Sequence, residues 1–364
     1  GKRLSLYVLP MFGNKAKLVL LSVMLGTCLV SMFLADIPTA LIFFGICSPL
    51  LEKNSCEPGK SNFGKALMLG IPVGAALGGI GTPAGSGMNA VTMSLLKSIC
   101  GVEISFAQWS IVGVPVAIVS LVLAWLFLCL VFKPEIDVVK GLDSLKDDRK
   151  NLPPLRGSEL RFTIVFAVMV VMWFVPKKIG IDMYMTTWLG IFVMSLPGMD
   201  MVDWKEMNGR IDWSAILICG AATALATVVA NLGTGAWLSG ILANLFLSRV
   251  AGMGLLVLLL VINIMMMVGH YPMPQGVSLA GLCLPVVGAL ALDLGLNPIA
   301  VCLPVCMSTS MLLLVPIDPT CYTTYSGGYW KIKDMMSTGV VITLGYVVVC
   351  SVWTAVVAGI GLLG

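Results

Sequence analysis

The sequence has few charged residues and a single histidine. Charged residues make up 11% of its 364 residues, against roughly 25% in soluble domains. None of its eleven cysteines lies in a Cys-x-x-Cys pair, so neither a zinc site nor a redox site is predicted. No nucleophile is paired with a base in the pattern of a catalytic site, which argues against an enzyme. The basic residues cluster beside apolar segments, so they do not indicate nucleic-acid binding.

Hydrophobic residues, in contrast, make up 58% of the chain. Apolar runs near the roughly 20 residues that a membrane-spanning helix needs recur from end to end. We therefore predict an all-α polytopic protein of the cell membrane, in contact with lipid and without a separate soluble domain. The longest polar segment, 133–161, carries seven Lys or Arg residues and is predicted to be a cytoplasmic linker by the positive-inside rule.

The apolar segments follow the same order on both sides of this linker. Residues 1–132 form a first repeat, with a re-entrant hairpin at 18–51, a broken helix at 66–96 and a full span at 106–132. Residues 162–364 form the second half, with a hairpin at 251–292, a broken helix at 298–330 and a span at 338–363. Weak repeats with interrupted helices in matching positions indicate a secondary transporter, so we predict inverted repeats. For the first hairpin, one kinked span over 18–44 is the alternative.

One of these helices is interrupted from Gly78 to Asn89 by glycines, a proline and small polar residues. Non-helical backbone persists at membrane depth only where it is packed in protein or lines a wet cavity, so the break predicts a site. Half-helix N-termini can bind an anion, and unwound carbonyls and hydroxyls can bind Na⁺. An ordinary loop between two spans is the alternative explanation. The corresponding stretch of the second half runs from Pro316 to Cys321.

Three titratable residues lie near the predicted breaks and tips. An acid at the bilayer centre costs roughly 2.5 to 3.5 kcal/mol, so Asp36 and Asp318 indicate function. Each could ligate a cation, carry a proton or cap a half-helix. His270 could titrate near neutral pH, although its neighbours Tyr271 and Pro272 suit a surface loop equally well.

These features together resemble the divalent anion/sodium symporter family, whose members carry dicarboxylates, citrate or sulfate. The resemblance covers nearly the whole chain and is carried by four motifs. They are Gly78-Gly79-Ile80-Gly81-Thr82 running to Asn89, Phe106 and Trp109 followed by Gly113-Val114-Pro115, Ile211-Asp212-Trp213 running to Gly220, and Ser326-Gly327-Gly328-Tyr329.

The resemblance implies a secondary transporter that shifts a hairpin-bearing domain against a scaffold, in an elevator-type movement. It also implies a homodimer and a coupling ion, Na⁺ or H⁺, with no other cofactor and no metal site beyond a candidate Na⁺ site. The family has further scaffold helices before its first hairpin, and most of them are missing from this sequence.

The family's tips carry Ser-Asn-Thr, and its broken helices carry Thr-Pro-Pro or Ser-Pro-Pro followed by Asn. The first tip here reads Ala35-Asp36-Ile37, the first break Ser86-Gly87-Met88 followed by Asn89, the second tip Gln275-Gly276-Val277, and the second break Pro319-Thr320-Cys321. The implied substrate-binding residues are Asp36, Ile37, Thr39, Ser86, Gly87, Gly276, Val277, Ser278, Pro319 and Thr320. The implied cation-binding residues are Ser31, Ala35, Asp36, Gly85, Gly276 and Asp318.

The chain departs from the family at both tips and both proline pairs. An acid in place of Asn at Asp36 would strengthen a cation site, but it would repel a dianion unless Na⁺ or H⁺ neutralised it. We predict a small organic anion as the substrate, a dicarboxylate above all. The alternatives are a carrier of another anion in the ion-transporter superfamily, a sodium-independent exchanger, and a non-transporting receptor that kept the fold.

Overall fold

The computed structural model describes residues 3, 7–142, 151–175, 180–199, 252–273, 276–311, 313 and 319–363, together with scattered positions between 201 and 250. These residues are helical, with no β-strand among them apart from one isolated bridge between Lys15 and Val138. Three of the helices are long and apolar enough to cross a bilayer by length and composition, namely Phe106–Val131, Gly157–Phe174 and Ile332–Gly359. The predicted class, an all-α polytopic membrane protein, is confirmed.

We number the helices of the described part in chain order. They are α1 Ala16–Ser31, α2 Asp36–Lys53, α3 Asn62–Gly79, α4 Gly87–Cys100, α5 Phe106–Val131, α6 Gly157–Phe174, α7 Met183–Met194, α8 Leu255–Gly269, α9 Gly276–Asp293, α10 Pro298–Ser308, α11 Pro319–Tyr325 and α12 Ile332–Gly359. The predicted span over 213–232 lies largely outside the described residues.

The first helix pair, α1 and α2, folds back on itself. A Cβ atom built on Gly26 of α1 would lie 2.9 Å from Cζ of Phe43 in α2. Two residues this far apart in sequence would be about 25 Å apart in one straight helix. The chain therefore reverses direction across residues 32–35, as a hairpin does. Re-entry of this pair into the membrane stays a prediction.

A row of glycines brings the backbones of α1 and α3 into contact. Gly70, Gly74 and Gly78 recur at every fourth position of α3, so they share one face of the helix. A Cβ on Gly74 would lie 2.7 Å from the carbonyl oxygen of Met24, and one on Gly78 only 2.2 Å from that of Cys28. Small residues at this spacing allow helices in membranes to approach closely. We call these three residues the glycine face.

The interrupted helix consists of α3 and α4, which are separated by residues 80–86. The long helix α5 supports this break, because the indole Nε1 of Trp109 donates a hydrogen bond of 2.8 Å to the carbonyl oxygen of Ile80. One turn later, a Cβ on Gly113 would lie 2.5 Å from the Ile80 carbonyl oxygen and 2.6 Å from that of Gly81. The motif Trp109 to Gly113 thus holds α5 against the non-helical backbone.

Contacts between the two halves recur in matching pairs. After the first break, α4 packs against α9 and α10 of the second half. After the second break, α11 packs against α2 and α3 of the first half. The long helices α5 and α12 pack against each other. The inverted relation between the halves, and the boundaries at 132 and 162, stay predictions.

The first part of the linker is tied to the ends of the first-half helices. The N–H of Ala16, which begins α1, donates to the carbonyl oxygen of Asp137 at 3.0 Å. The carboxylate of Glu135 accepts hydrogen bonds from the Ser61 hydroxyl and, at 2.8 Å, from the Phe63 N–H at the start of α3. Partial burial would raise the pKa of Glu135, but these hydrogen bonds outweigh it and the pKa is lowered. The cytoplasmic location of the linker stays a prediction.

The glycine face predicts a stability difference between two glycine substitutions. Gly78→Ala places a methyl group against the backbone of Cys28, which cannot rotate away, so it should cost about 1 to 3 kcal/mol or more through overpacking. Gly45→Ala is the control, because no atom lies within 4 Å of a Cβ there. Heating each purified variant and measuring the folded fraction by size exclusion tests this. Equal melting temperatures for the two variants would contradict it.

Candidate functional site

The tip of the first helix pair is bonded to the first break and to the helix that precedes it. The hydroxyl of Thr82, inside the break, donates to the carbonyl oxygen of Met32 at the tip. The hydroxyl of Ser31, which is fully buried, donates to the carbonyl oxygen of Ala75 in α3 at 2.8 Å. These two bonds hold the tip directly over the non-helical residues.

Three carbonyl oxygens converge on Gly85. A Cβ built there would lie 2.6 Å from the oxygen of Gly79, 2.9 Å from that of Ser31 and 3.1 Å from that of Gly78. No side chain fits among them, so the glycine is required for space. We call these oxygens the carbonyl cluster. Carbonyl oxygens at the C-terminal end of a half-helix are ligands that transporters use for Na⁺, so the cluster is a candidate cation site, although the oxygen of Gly78 also accepts a hydrogen bond of 2.9 Å from the N–H of Gly81.

Ser31 and Gly85 were both predicted to contact a cation, and the structure brings them together in this cluster. For Ser31 it is the carbonyl that faces Gly85, while the hydroxyl is bonded to α3. That the two residues bind a cation stays a prediction.

Asn89 is a further site residue that the predicted binding set left out. Its side chain is fully buried, and its Nδ2 donates to the carbonyl oxygens of Gly79 at 2.7 Å and Thr82 at 2.9 Å. Its Oδ1 has no hydrogen-bond partner among the described residues. A buried acceptor left without a partner costs free energy, and a bound cation would satisfy it. The family match at Asn89 was the signal that could have identified it.

The carboxylate of Asp36 lies beside the carbonyl cluster. A Cβ on Gly79 would lie 3.6 to 3.7 Å from the carboxyl atoms of Asp36. Asp36 is the first residue of α2, and the N-cap is Ala35, which makes no side-chain cap bond. Asp36 therefore lies one residue after the N-cap position, and its role at the site stays a prediction. A negative charge in the first turn is stabilised by the helix dipole.

Two other residues at the tip, Thr39 and Ile37, differ in their exposure. Thr39 is buried, and its hydroxyl donates to the carbonyl oxygen of Leu34 at 3.2 Å, which stabilises the tip itself. Ile37 is 42% exposed. Their predicted contact with substrate stays a prediction.

The N-terminus of α4 is open. Ser86 is its N-cap and accepts a hydrogen bond of 3.3 Å from the N–H of Met88. Gly87 is exposed, and no atom lies within 4 Å of a Cβ built on it. The first turn of a helix leaves N–H groups without intrahelical acceptors and carries positive partial charge. An anion can therefore bind here, close along the chain to Gly85.

In the second half, the described site residues belong to α9 and α11. Gly276 begins α9, and a Cβ on it would lie 2.3 Å from the carbonyl oxygen of Thr309, the first residue after α10. Thr320 is buried in α11, and Ser278 is half-buried in α9. Asp318 and the side chains of Val277 and Pro319 lie outside the described residues, so their roles stay predictions.

His270 is not in a surface loop, so that alternative is wrong. Its side chain is 2% exposed, and its Nε2 lies 3.0 Å from the carbonyl oxygen of Ser308 at the end of α10. The neighbouring Tyr271 is exposed, which explains why the local sequence suited a surface equally well.

The chain matches known transport proteins over almost its whole length. The profile of the family described as the sodium:sulfate symporter transmembrane region matches residues 1–360. A sodium-dependent dicarboxylate transporter, SdcS, of Staphylococcus saprophyticus is 25% identical over 372 aligned residues, which cover 95% of this chain and 70% of the relative. The SdcS protein of Staphylococcus aureus strain USA300 is 25% identical over 362 residues, covering 93% and 68%.

The position of Asn89 predicts that its amide holds the break together. Asn89→Leu keeps the branched shape of the side chain but leaves the carbonyl of Gly79 unpaired, at about 1 to 3 kcal/mol, while the carbonyl of Thr82 keeps its bond from the N–H of Gly85. Thr92→Val is the control, because the hydroxyl of Thr92 bonds the carbonyls of Met88 and Asn89 in its own helix. Thermal unfolding in detergent should show a much lower melting temperature for Asn89→Leu. If Asn89→Leu lowers the melting temperature no more than Thr92→Val does, the Asn89 amide does not hold the break together.

Proposed function

The chain belongs to the sodium:sulfate symporter transmembrane region family, which makes it a multi-pass, sodium-coupled anion transporter and not an enzyme, and we propose that it carries a small dicarboxylate. The relatives that are named as sodium-dependent dicarboxylate transporters support this substrate class.

A single observation carries the proposal: the candidate cation site and the candidate anion site lie within one short stretch of chain. The carbonyl cluster surrounds Gly85, and the exposed N-terminus of α4 begins at Gly87. Opposite charges bound this close attract each other, by about 4 kcal/mol at 4 Å where the effective dielectric constant is near 20. Na⁺ bound at Gly85 would thus raise the affinity for an anion at Gly87. Linkage requires the reverse effect as well, and this mutual dependence is the basis of symport.

The negative charge of Asp36 determines the order in which ions can bind at this site. Its carboxylate lies beside the carbonyl cluster, so it attracts a cation and repels a dianion. A cation at the cluster, or a proton on Asp36 itself, removes the repulsion. The substrate therefore binds after the cation, and the empty site rejects the anion. This order prevents uncoupled movement of substrate.

The second half would complete the substrate site. Because α4 packs against α9 and α10, a substrate at Gly87 can also reach residues from the second tip and the second break. We assign this role to Gly276, Val277, Ser278, Pro319 and Thr320, with Gly276 and Asp318 at a second cation site. In the first half, Asp36, Ile37, Thr39 and Ser86 would line the substrate, and Ser31 and Ala35 the cation.

An elevator-type movement fits the way the helices are grouped. The glycine face joins α1 to α3, and α3 also packs on α5. Of the described helices, α6 and α7 pack mainly on each other and leave most of their apolar side chains exposed. The first group would move as a unit with the bound substrate. The second would belong to the fixed scaffold, with its apolar surface against lipid and the partner of a homodimer.

Uptake of labelled succinate into proteoliposomes tests the function. We expect an inward Na⁺ gradient to drive uptake above the level without a gradient. Gly85→Ala fills the carbonyl cluster and should abolish the Na⁺-driven part, whereas Gly45→Ala, outside the site, should retain it. Absence of uptake for succinate, citrate and sulfate under Na⁺ and proton gradients would refute transport. Binding without flux would indicate a receptor.

Asp36→Asn tests the role of the negative charge. Removing the charge should raise the half-saturating Na⁺ concentration about tenfold, which corresponds to about 1.4 kcal/mol of lost cation binding. If the carboxyl group carries a proton instead, the pH dependence of uptake should disappear in the variant. The measurement is uptake as a function of Na⁺ concentration at several pH values. Unchanged Na⁺ and pH dependence would exclude a role for Asp36 in coupling.

A further inference from the structure

A second polar cluster lies inside the second half, away from the carbonyl cluster. The hydroxyl of Ser308 donates to Oδ1 of Asn263 at 2.9 Å and lies 3.3 Å from the hydroxyl of Tyr346. Nδ2 of Asn263 donates to the hydroxyl of Ser351 at 3.0 Å. These side chains come from α8, α10 and α12, and all are at most 4% exposed. Polar groups buried this deeply among apolar helices indicate function or a specific structural role.

His270 joins this cluster at the end of α8. Its Nε2 lies 3.0 Å from the carbonyl oxygen of Ser308. A carbonyl oxygen can only accept a hydrogen bond, so Nε2 carries the hydrogen atom and the neutral imidazole has its lone pair on Nδ1. Nδ1 is buried and has no hydrogen-bond partner among the described residues. The ring thus keeps one proton acceptor available inside the protein.

His270 is one of the residues that line a small cavity. The cavity has a volume of about 10 Å³, which is room for about one water molecule. His270, Thr343 and Tyr346 contribute its polar lining, together with Asn263 and Ser308, and methionine and valine side chains complete it. The hydroxyl oxygen of Thr343 is also buried without a hydrogen-bond partner in the described part of the chain. The two residues that carry these unpaired polar atoms, His270 and Thr343, therefore line the same cavity.

The end of α10 offsets part of the cost that burial imposes on a positive charge at His270. Ser308 is the last residue of α10, so its carbonyl is one of the groups that give a helix C-terminus negative partial charge. A protonated imidazole would donate from Nε2 to this carbonyl and from Nδ1 to a water or hydroxyl in the cavity. Both N–H groups of the charged ring would then have acceptors, which offsets part of the cost of burying it.

We propose that His270, Ser308, Thr343 and Tyr346 form a proton-binding site, and that this proton is a second coupling ion. The titratable groups near the ring are few. Tyr346 lines the cavity, with the thiols of Cys306 and Cys350 beside it, and α9 contributes the apolar Leu279 near Gly269. Among the described residues no carboxylate or lysine lines the cavity.

The site can be tested without any substrate, because His270 is the chain's one histidine. Protein labelled with isotopes in histidine, and purified without a histidine tag, gives a single set of imidazole signals. We expect the neutral form to carry its proton on Nε2 and the ring to become doubly protonated between about pH 8 and about pH 5. A ring that stays neutral over this range, or that is neutral with Nδ1 protonated, would overturn the proposal.

Matched variants separate the cavity from general effects on folding. Thr343→Val and Tyr346→Phe remove the hydroxyl groups, and each should lower the protonated fraction at a fixed pH several-fold. Thr338→Val is the control, because Thr338 is buried in the same helix but bonds the carbonyl of Asp334. Equal titration in all three variants and the parent would refute the role of the cavity.

The coupling role rests on the proposed transport function and has its own readout. His270→Gln keeps a side-chain donor for the Ser308 carbonyl but cannot titrate. An inward proton gradient at constant Na⁺ should increase succinate uptake in the parent protein and not in this variant. Stimulation in both would overturn the coupling role. Absence of succinate uptake would instead count against the substrate, and the imidazole titration would remain a valid test of the site.

Discussion

The contact between the backbones of α1 and α3 determines where the first site lies. Because the glycine face has no side chains, the Cys28 carbonyl reaches the position that a Cβ on Gly78 would occupy. One turn further along α1, the carbonyl of Ser31 arrives beside Gly85, and the tip reaches the hydroxyl of Thr82. With side chains on this face, the helices would stand farther apart and the carbonyl cluster would lose its Ser31 member.

The break itself is stable because its backbone groups are bonded by side chains. A non-helical stretch leaves carbonyls that lipid cannot satisfy. Here Trp109 donates to Ile80, and Asn89 donates to Gly79 and Thr82. Each donor comes from a neighbouring helix or from the far side of the break, so the exposed carbonyls are held in fixed positions. Of these oxygens, that of Gly79 also faces Gly85, and a carbonyl oxygen has a second lone pair with which it can bind a cation there.

Sequence patterns predicted the elements better than the contacts between them. Apolar runs and turn residues located the helices and the break at 80–86, because both signals are local. The role of the Ser31 carbonyl could not be predicted, since every residue has a carbonyl and only the packing of α1 decides which one faces Gly85. Likewise, the spacing of Gly70, Gly74 and Gly78 predicts that they share one face of a helix. It does not predict which other helix packs against that face. His270 was ambiguous because its neighbours differ in exposure.

The two halves repeat their contacts, but the polar groups that the structure describes beside the two breaks differ. In the first half, an acid lies beside backbone carbonyls, which together attract a metal cation. In the second half, the described polar groups around the end of α10 are an imidazole, hydroxyls and an amide, with the ring bonded to a carbonyl. Such a set offers donors and one basic nitrogen, which suits a proton better than Na⁺. Because α4 contacts α9 and α10 while α11 contacts α2 and α3, an anion between the breaks would be close to elements of both halves. A dianion there would balance one Na⁺ bound in the first half and one proton bound in the second. The anion and the two cations together would then carry no net charge, and only the charge of Asp36 would remain.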